Sequence, residues 1–96
     1  MIKSFKDKTT EDIYNGDNTK AARHIPDTIW NTACRKLDML NAAHNIKDLL
    51  VPPGNKLEKL RGELSEFYSI RINDQYRIVF KWAQGNVELV QITDYH

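Results

Sequence analysis

Apolar and polar residues alternate along much of the C-terminal half of this chain, and this pattern restricts the possible folds most strongly. Apolar side chains take every second position in Tyr68–Ile72 and again in Tyr76–Trp82, with the polar stretch Asn73–Gln75 between them. Alternation with a period of two residues is typical of strands that bury one face. A further turn at Ala83–Asn86 leads into the apolar run Val87–Ile92. The sequence therefore predicts an antiparallel β-meander.

Helical periodicity precedes the meander. After Pro26 and Asp27, a favourable pair for a helix start, apolar residues recur at intervals of three and four from Ile29 to Ala43. This spacing predicts an amphipathic helix of about four turns. A second, short helix is expected at Asn45–Leu50.

Shorter elements complete the predicted fold. Ile2–Phe5 is expected to form a first strand, and Asp7–Tyr14 a helix that ends near Gly16. A type II turn is expected at Pro52–Asn55 with a positive φ at the glycine, and the strand period is expected to begin at Lys56. The fold class is α+β, with an N-terminal strand and helices packed on the C-terminal antiparallel meander.

The composition indicates one globular domain over residues 1–96. Hydrophobic residues make up 41% of the chain and the net charge is +1, which excludes a disordered protein. A charge near zero argues against strong binding of nucleic acid by the whole surface, although cations clustered on one face remain compatible with it. Neither a membrane span nor a signal peptide is recognisable, so a cytoplasmic protein without a membrane partner is expected. The lone Cys34 fits a reducing compartment and a place in the core.

The last three residues carry groups suited to acid/base chemistry. Asp94, Tyr95 and His96 supply a carboxylate, a phenol and an imidazole directly after the predicted strand Val87–Ile92. A strand would hold these groups in place, whereas a free terminus would not. Imidazole transfers protons near neutral pH, and the Asp94 carboxylate and the terminal carboxylate beside His96 would favour its protonated form. His96 is therefore a candidate general acid.

Basic residues are expected to cluster on one face of the sheet. They are Arg71, Arg77 and Lys81 on the hairpin, and Lys56, Lys59 and Arg61 on the adjoining segment. In the simpler interpretation they only form the solvated face of an ordinary antiparallel sheet. Together with Glu58 and the terminal residues, however, they supply the acid, base and anion stabiliser needed to cleave RNA, whose 2′-hydroxyl is the nucleophile.

No metal site and no cofactor are predicted. His24, His44 and His96 lack the spacing of a zinc site, and Asp94 with His96 alone would give too few ligands. Phosphate-binding and dinucleotide-binding glycine motifs are missing from the sequence as well.

Two parts of the sequence resemble a known family. The stretch "PPGNKLEKLRGELSEFYSIRINDQYRIVFKW", Pro52–Trp82, and the terminal "DYH" are similar to the HigB (plasmid maintenance system killer) branch of the RelE/ParE toxin superfamily, and Met1–Phe5 resembles its opening strand. The resemblance implies a compact RelE-like fold and a ribosome-dependent mRNA endonuclease that cuts in the decoding site. It also implies neutralisation by a HigA-like helix-turn-helix antitoxin, through which the toxin–antitoxin complex would bind operator DNA.

The resemblance assigns roles to individual residues. The family's C-terminal catalytic residues fall on Asp94, Tyr95 and His96, and its basic catalytic position before the glycine of L-x-x-L-K/R-G falls on Arg61. Arg77 matches the family's arginine after the hairpin aromatic, and both arginines are expected to stabilise the phosphate that is cut. Glu58 stands where some members have a catalytic histidine, so the base there is a carboxylate or the position is structural. The expected RNA-binding residues are Lys56, Lys59, Arg71, Asn73, Arg77 and Lys81.

Two alternatives remain open at this stage. The chain could be a non-catalytic toxin that poisons DNA gyrase by binding, as ParE members of the superfamily do, which the near-neutral charge and the glutamate at position 58 would suit. The terminal acid/base cluster favours the nuclease over this alternative. A small interaction module with a merely solvated sheet face is the third interpretation.

Overall fold

The structure, a computed structural model, describes residues 1–64 and 66–94. It contains two α-helices and one four-stranded sheet. The elements are α1 (Lys8–Asn15), α2 (Trp30–Ala42), β1 (Glu58–Lys59), β2 (Phe67–Arg71), β3 (Tyr76–Ala83) and β4 (Asn86–Asp94). No helix in these two described ranges has the length and apolar composition needed to cross a membrane.

The sheet confirms the predicted meander. The strands lie in the order β1-β2-β3-β4, and each is antiparallel to the next. A two-residue loop joins β3 to β4, with φ of 53° at Gln84 and 80° at Gly85, as a type I′ hairpin turn requires. In the loop between β2 and β3, Asn73 Oδ1 accepts the backbone N–H of Gln75 at 2.9 Å and of Tyr76 at 2.7 Å.

The predicted helices are confirmed, with short 3₁₀ turns beside them. The Asp7 carboxylate caps α1 by accepting the Thr10 N–H at 2.8 Å, and Gly16 ends the helix in the left-handed region at φ 79°. A 3₁₀ turn, Asp27–Ile29, leads into α2. The segment Ile46–Leu50 is also 3₁₀-helical and not α-helical.

Both helices pack on one face of the sheet. Thr10 is fully buried there, and its Oγ1 accepts the backbone N–H of Ile92 at 2.9 Å, which ties α1 to β4. The apolar core lies between these layers. Its least exposed side chains are Ala22, Ala33, Leu37, Leu40, Ile70, Ile78, Phe80, Val87 and Val90, all at 0%.

The predicted N-terminal strand is present as two separate parallel bridges to β4. Ile2 pairs with Val87 and Phe5 with Val90, and the Lys3 N–H donates to the Val87 carbonyl at 2.8 Å. Between the bridges, β4 bulges at Leu89, which has a φ of 52°. A bulge leaves one residue out of the ladder, so the pairing is not continuous.

The segment before β2 differs from the prediction. The positive φ lies at Lys56, at 44°, and not at Gly54, because Pro53–Asn55 forms a 3₁₀ turn in place of a type II turn. The side chain of Asn55 is fully buried and donates to the backbone carbonyls of Leu49 at 3.2 Å and Val51 at 3.4 Å. These contacts hold the segment in a tight turn. A regular strand from Lys56 is therefore a wrong prediction, and β1 has only two residues.

Candidate functional site

The side of the sheet opposite the helices carries several of the predicted site residues. Strand register places Glu58 opposite Ser69 and Arg71 opposite Arg77, and Lys81 follows Arg77 at even spacing along β3. Successive side chains of a strand point to opposite faces, so these five residues share one face. We call it the polar face: Glu58, Ser69, Arg71, Arg77 and Lys81.

Arg77 lies flat within the polar face. Its residue exposure is 5%. Nε donates to Ser69 Oγ at 2.9 Å, and Nη2 donates to the Lys56 carbonyl at 2.7 Å and to the Ser69 carbonyl at 3.4 Å. Arg77 is one of the predicted RNA-binding residues, and in this structure its guanidinium donates to acceptors of the protein itself.

Glu58 stands beside that guanidinium and still reaches solvent. Its Oε1 lies 3.9 Å from Arg77 Nη1, and its side chain is 50% exposed whereas that of Arg77 is 6% exposed. The pair thus presents a carboxylate at the surface and keeps the cation underneath it. The carboxylate is therefore accessible to a bound molecule, whereas the guanidinium is not.

The other cations of the polar face already contact carboxylates. Lys81 Nζ lies 3.2 Å from Glu66 Oε2, and Arg71 contacts Asp74 in the adjoining loop. Each has about a third of its side chain exposed. The polar face is therefore less positive than the sequence alone suggested.

The three predicted cations before β2 are exposed but do not share one face. Lys59 pairs with Tyr68, so alternation places it on the helix side of the sheet, opposite to Glu58. Its expected place on the basic face is thus wrong. Lys56 and Arg61 lie outside regular strand, on either side of β1, and both are exposed.

Asn73, another predicted RNA-binding residue, has a role within its loop. Its Oδ1 accepts two backbone N–H groups, those of Gln75 and Tyr76, and so shapes the turn between β2 and β3. Asn73 is thus a loop-forming residue in this structure.

Asp94 ends β4 next to the polar face. It pairs with Tyr76, while Thr93 pairs with Arg77, so alternation gives Thr93 and not Asp94 the side of Arg77. Gln75 Nε2 donates to Asp94 Oδ2 at 3.0 Å. The predicted catalytic residues Tyr95 and His96 lie outside the described residues.

Sequence reasoning missed the polar residues that organise this region. Ser69 is 1% exposed and Asn55 is fully buried. Lys36 of α2 donates to Asn55 Oδ1, and burial, followed by the charge of Arg35, lowers the pKa of Lys36. The sequence signal that could have indicated Ser69 is a small hydroxyl residue inside an alternating strand. Asn55 follows Pro-Pro-Gly, a pattern that indicates a turn but gives no sign that the asparagine is buried.

Comparison with known proteins identifies close relatives in sequence. A family model described as "RelE-like toxin of type II toxin-antitoxin system HigB" matches residues 3–96. Toxin HigB-1 of Vibrio cholerae serotype O1 is 47% identical over 85 residues, which cover 88% of this chain and 87% of that protein. An uncharacterized protein of Haemophilus influenzae is 39% identical over 83 residues, covering 86% of this chain and 80% of that protein.

Solved structures share the fold at low sequence identity. The YoeB–YefM complex of Staphylococcus aureus matches with a TM-score of 0.62 and 18% identity, over 100% of this chain and 98% of the other. A YafQ mutant of E. coli matches with a TM-score of 0.64 and 13% identity, over 99% and 94%. At these identities the likeness concerns the fold alone.

Proposed function

The chain belongs to the RelE-like HigB toxins of type II toxin–antitoxin systems, and from this premise we propose that it is an endoribonuclease that cuts mRNA on the ribosome. One observation carries the proposal. The half-exposed carboxylate of Glu58 stands 3.9 Å from a guanidinium on the sheet face opposite the helices. A carboxylate held in this way can accept the proton of an RNA 2′-hydroxyl.

The proposed reaction needs no group beyond RNA and the side chains of this chain. Glu58 takes the proton from the 2′-hydroxyl, which attacks the adjacent phosphorus, and His96 protonates the leaving 5′ oxygen. The exposed Arg61 stabilises the negative charge on the phosphate. Tyr95 stacks on or orients a base, and Asp94 holds the tail or orients the imidazole. The products are a 2′,3′-cyclic phosphate and a 5′-hydroxyl.

We infer that the protein needs the ribosome because it would bind free RNA only weakly. Affinity for nucleic acid rises with the number of phosphates that cations neutralise. Arg71 and Lys81 contact carboxylates, Arg77 is buried, and the net charge is only +1. The ribosome would instead hold the message against the polar face.

Primer extension on a translated mRNA tests the activity directly. The purified protein should produce cuts within the open reading frame during translation, and none of comparable rate on the same mRNA without ribosomes at about 150 mM salt. Equally fast cutting of naked mRNA would contradict ribosome dependence. Inhibition of DNA gyrase supercoiling without any cut in mRNA would instead support the ParE-like alternative.

A pair of matched variants tests the role of Glu58. Glu58→Gln should slow single-turnover cleavage by about 10²–10⁴, the range for loss of a general base. Glu63→Gln removes a nearby exposed carboxylate outside the polar face and should cut like the wild type. His96→Ala should lose activity in the same range, and a folded His96→Ala variant that cuts at the wild-type rate would remove His96 from the mechanism.

The proposed protein partner is a HigA-like antitoxin with a helix-turn-helix domain, which would carry the complex to operator DNA. Family membership supports it, and one solved structure with the same fold is the YoeB–YefM toxin–antitoxin complex of Staphylococcus aureus. Exposed polar residues of α2 offer one docking surface. Co-expression with the adjacent small gene should yield a complex in a pull-down, and recovery of the toxin alone would contradict the pairing.

A further inference from the structure

Arg77 reaches across a neighbouring strand to a third segment of the chain. It starts on β3, passes over Ser69 of β2, and ends at the carbonyl of Lys56, just before β1. The path is open because serine is small, and Arg77 covers Ser69 so that only 1% of that residue is exposed. One side chain therefore fastens three segments of the polar face.

The geometry of these contacts differs from that of a phosphate ligand. A guanidinium that binds phosphate presents two parallel N–H donors at an accessible surface. Here Nε and Nη2 donate to Ser69 and Lys56, and Nη1 faces Glu58. The side chain that does reach the surface at this place is that of Glu58, at 50% exposure.

We propose that Ser69 and Arg77 are positioning residues that fix the Glu58 carboxylate for proton transfer, an inference that rests on the proposed nuclease function. Ser69 orients the guanidinium, and the guanidinium places Glu58 through charge and Lys56 through its carbonyl. Glu58 belongs to a strand of only two residues, and it pairs with Ser69 in the ladder. So short a strand holds a side chain weakly, and the contacts of Arg77 supply the missing rigidity.

Ser69→Ala tests this role because it removes one hydroxyl and leaves every charge of the polar face in place. Misplacement of a reacting group by about 1 Å costs about 10²-fold in rate, so kcat on ribosome-bound mRNA should fall by about 10–10²-fold with little change in KM. Ser4→Ala is the matched control. Ser4 Oγ also accepts one hydrogen bond at 2.9 Å, from the Leu89 N–H far along β4, and its loss should leave kcat unchanged.

Two more variants separate positioning from direct catalysis. Arg77→Lys keeps the charge but lacks the fork that bonds Ser69 and Lys56 together, so its kcat should fall at least as far as that of Ser69→Ala. In a Glu58→Gln background, Ser69→Ala should have no further effect on kcat, because both changes act through the same carboxylate. An undiminished Ser69→Ala effect in that background, or a Ser69→Ala kcat equal to that of wild type, would overturn the proposal.

A readout without RNA distinguishes this inference from the proposed function. The NMR signal of Arg77 Nε–H should exchange slowly with water in the wild type and about 10-fold faster or more in Ser69→Ala, since about 1.4 kcal/mol of hydrogen-bond protection corresponds to tenfold. Fast exchange in the wild type would show that Arg77 does not hold its hydrogen bonds to Ser69 and Lys56, and would overturn the inference. Slow exchange in a protein that cuts no ribosome-bound mRNA would overturn the proposed function and the catalytic part of the inference.

Discussion

Asn55 offers the sharpest stability prediction, because a fully buried amide organises the turn that precedes the sheet. Asn55→Ala removes the donor to the Leu49 carbonyl at 3.2 Å and to the Val51 carbonyl at 3.4 Å, and the acceptor for Lys36. A buried acceptor left unpaired costs about 1–3 kcal/mol, and one further hydrogen bond contributes about 0.5–1.5 kcal/mol. The free energy of unfolding should therefore fall by about 2–4 kcal/mol.

The magnitude is easily measured in a domain of this size. Each kcal/mol lowers Tm by about 4–8 °C, so Asn55→Ala should melt about 10–30 °C below the wild type. Urea unfolding followed by tryptophan fluorescence gives the free energy directly. Asn31→Ala, at an exposed position of α2, is the control and should stay within about 0.5 kcal/mol of the wild type.

A second substitution separates the donor role of Asn55 from its acceptor role. Asn55→Asp keeps an oxygen for Lys36 but places a carboxylate against two carbonyls, so it should be destabilised at least as much as Asn55→Ala. If Asn55→Ala unfolded at the same urea concentration as Asn31→Ala, the hydrogen bonds of the amide would not be what holds the turn.

Three further predictions concern other parts of the chain. The hydrogen bond from Thr19, and then the contact with Lys8, lower the pKa of Asp12. The ionised Asp12 should therefore add to the free energy of unfolding in full above the ordinary aspartate pKa of about 3.9, and this stabilisation should vanish as pH falls through the lower pKa of the folded protein. The free energies of unfolding of wild type and Asp12→Asn should accordingly converge in acid. Gly85→Ala should cost about 1–2 kcal/mol in urea unfolding, because φ is 80° and the added Cβ meets only the His44 carbonyl, at 3.7 Å. Arg61→Ala should slow single-turnover cleavage by about 10²–10³ without changing Tm, and an unchanged rate would make Arg61 a solvated surface residue.

The sheet was predictable from the sequence because a strand with one buried face records its register in alternate residues. Once Ile70, Ile78 and Phe80 are assigned to the core, the face of Arg71, Arg77 and Lys81 follows from the same count. The family resemblance is confirmed by the match over residues 3–96.

What the sequence left open depends on contacts between distant side chains. Alternation predicts the face of the sheet on which Arg77 lies, but not the direction in which its side chain extends. That direction follows from hydrogen-bond acceptors on Ser69 and on Lys56, which is 21 residues from Arg77 in sequence. The turn at Pro53–Asn55 likewise follows from buried amide contacts and not from the local preference of glycine. Lys59 was misplaced because β1 is too short to show a period.

The pairing of the N-terminal segment with β4 has a consequence for folding. Val87 and Val90 exchange backbone hydrogen bonds with Met1 to Lys6, so contacts at the start of the chain wait for a strand that is more than 80 residues away. Closing such a loop costs entropy before any contact forms, and folds rich in distant contacts form slowly. During synthesis the helices can form early, whereas the N-terminal segment can pair with β4 only after β4 has been made. The five residues of the polar face lie on β1, β2 and β3, so their arrangement depends on the pairing of these strands and does not wait for the N-terminal segment to join β4.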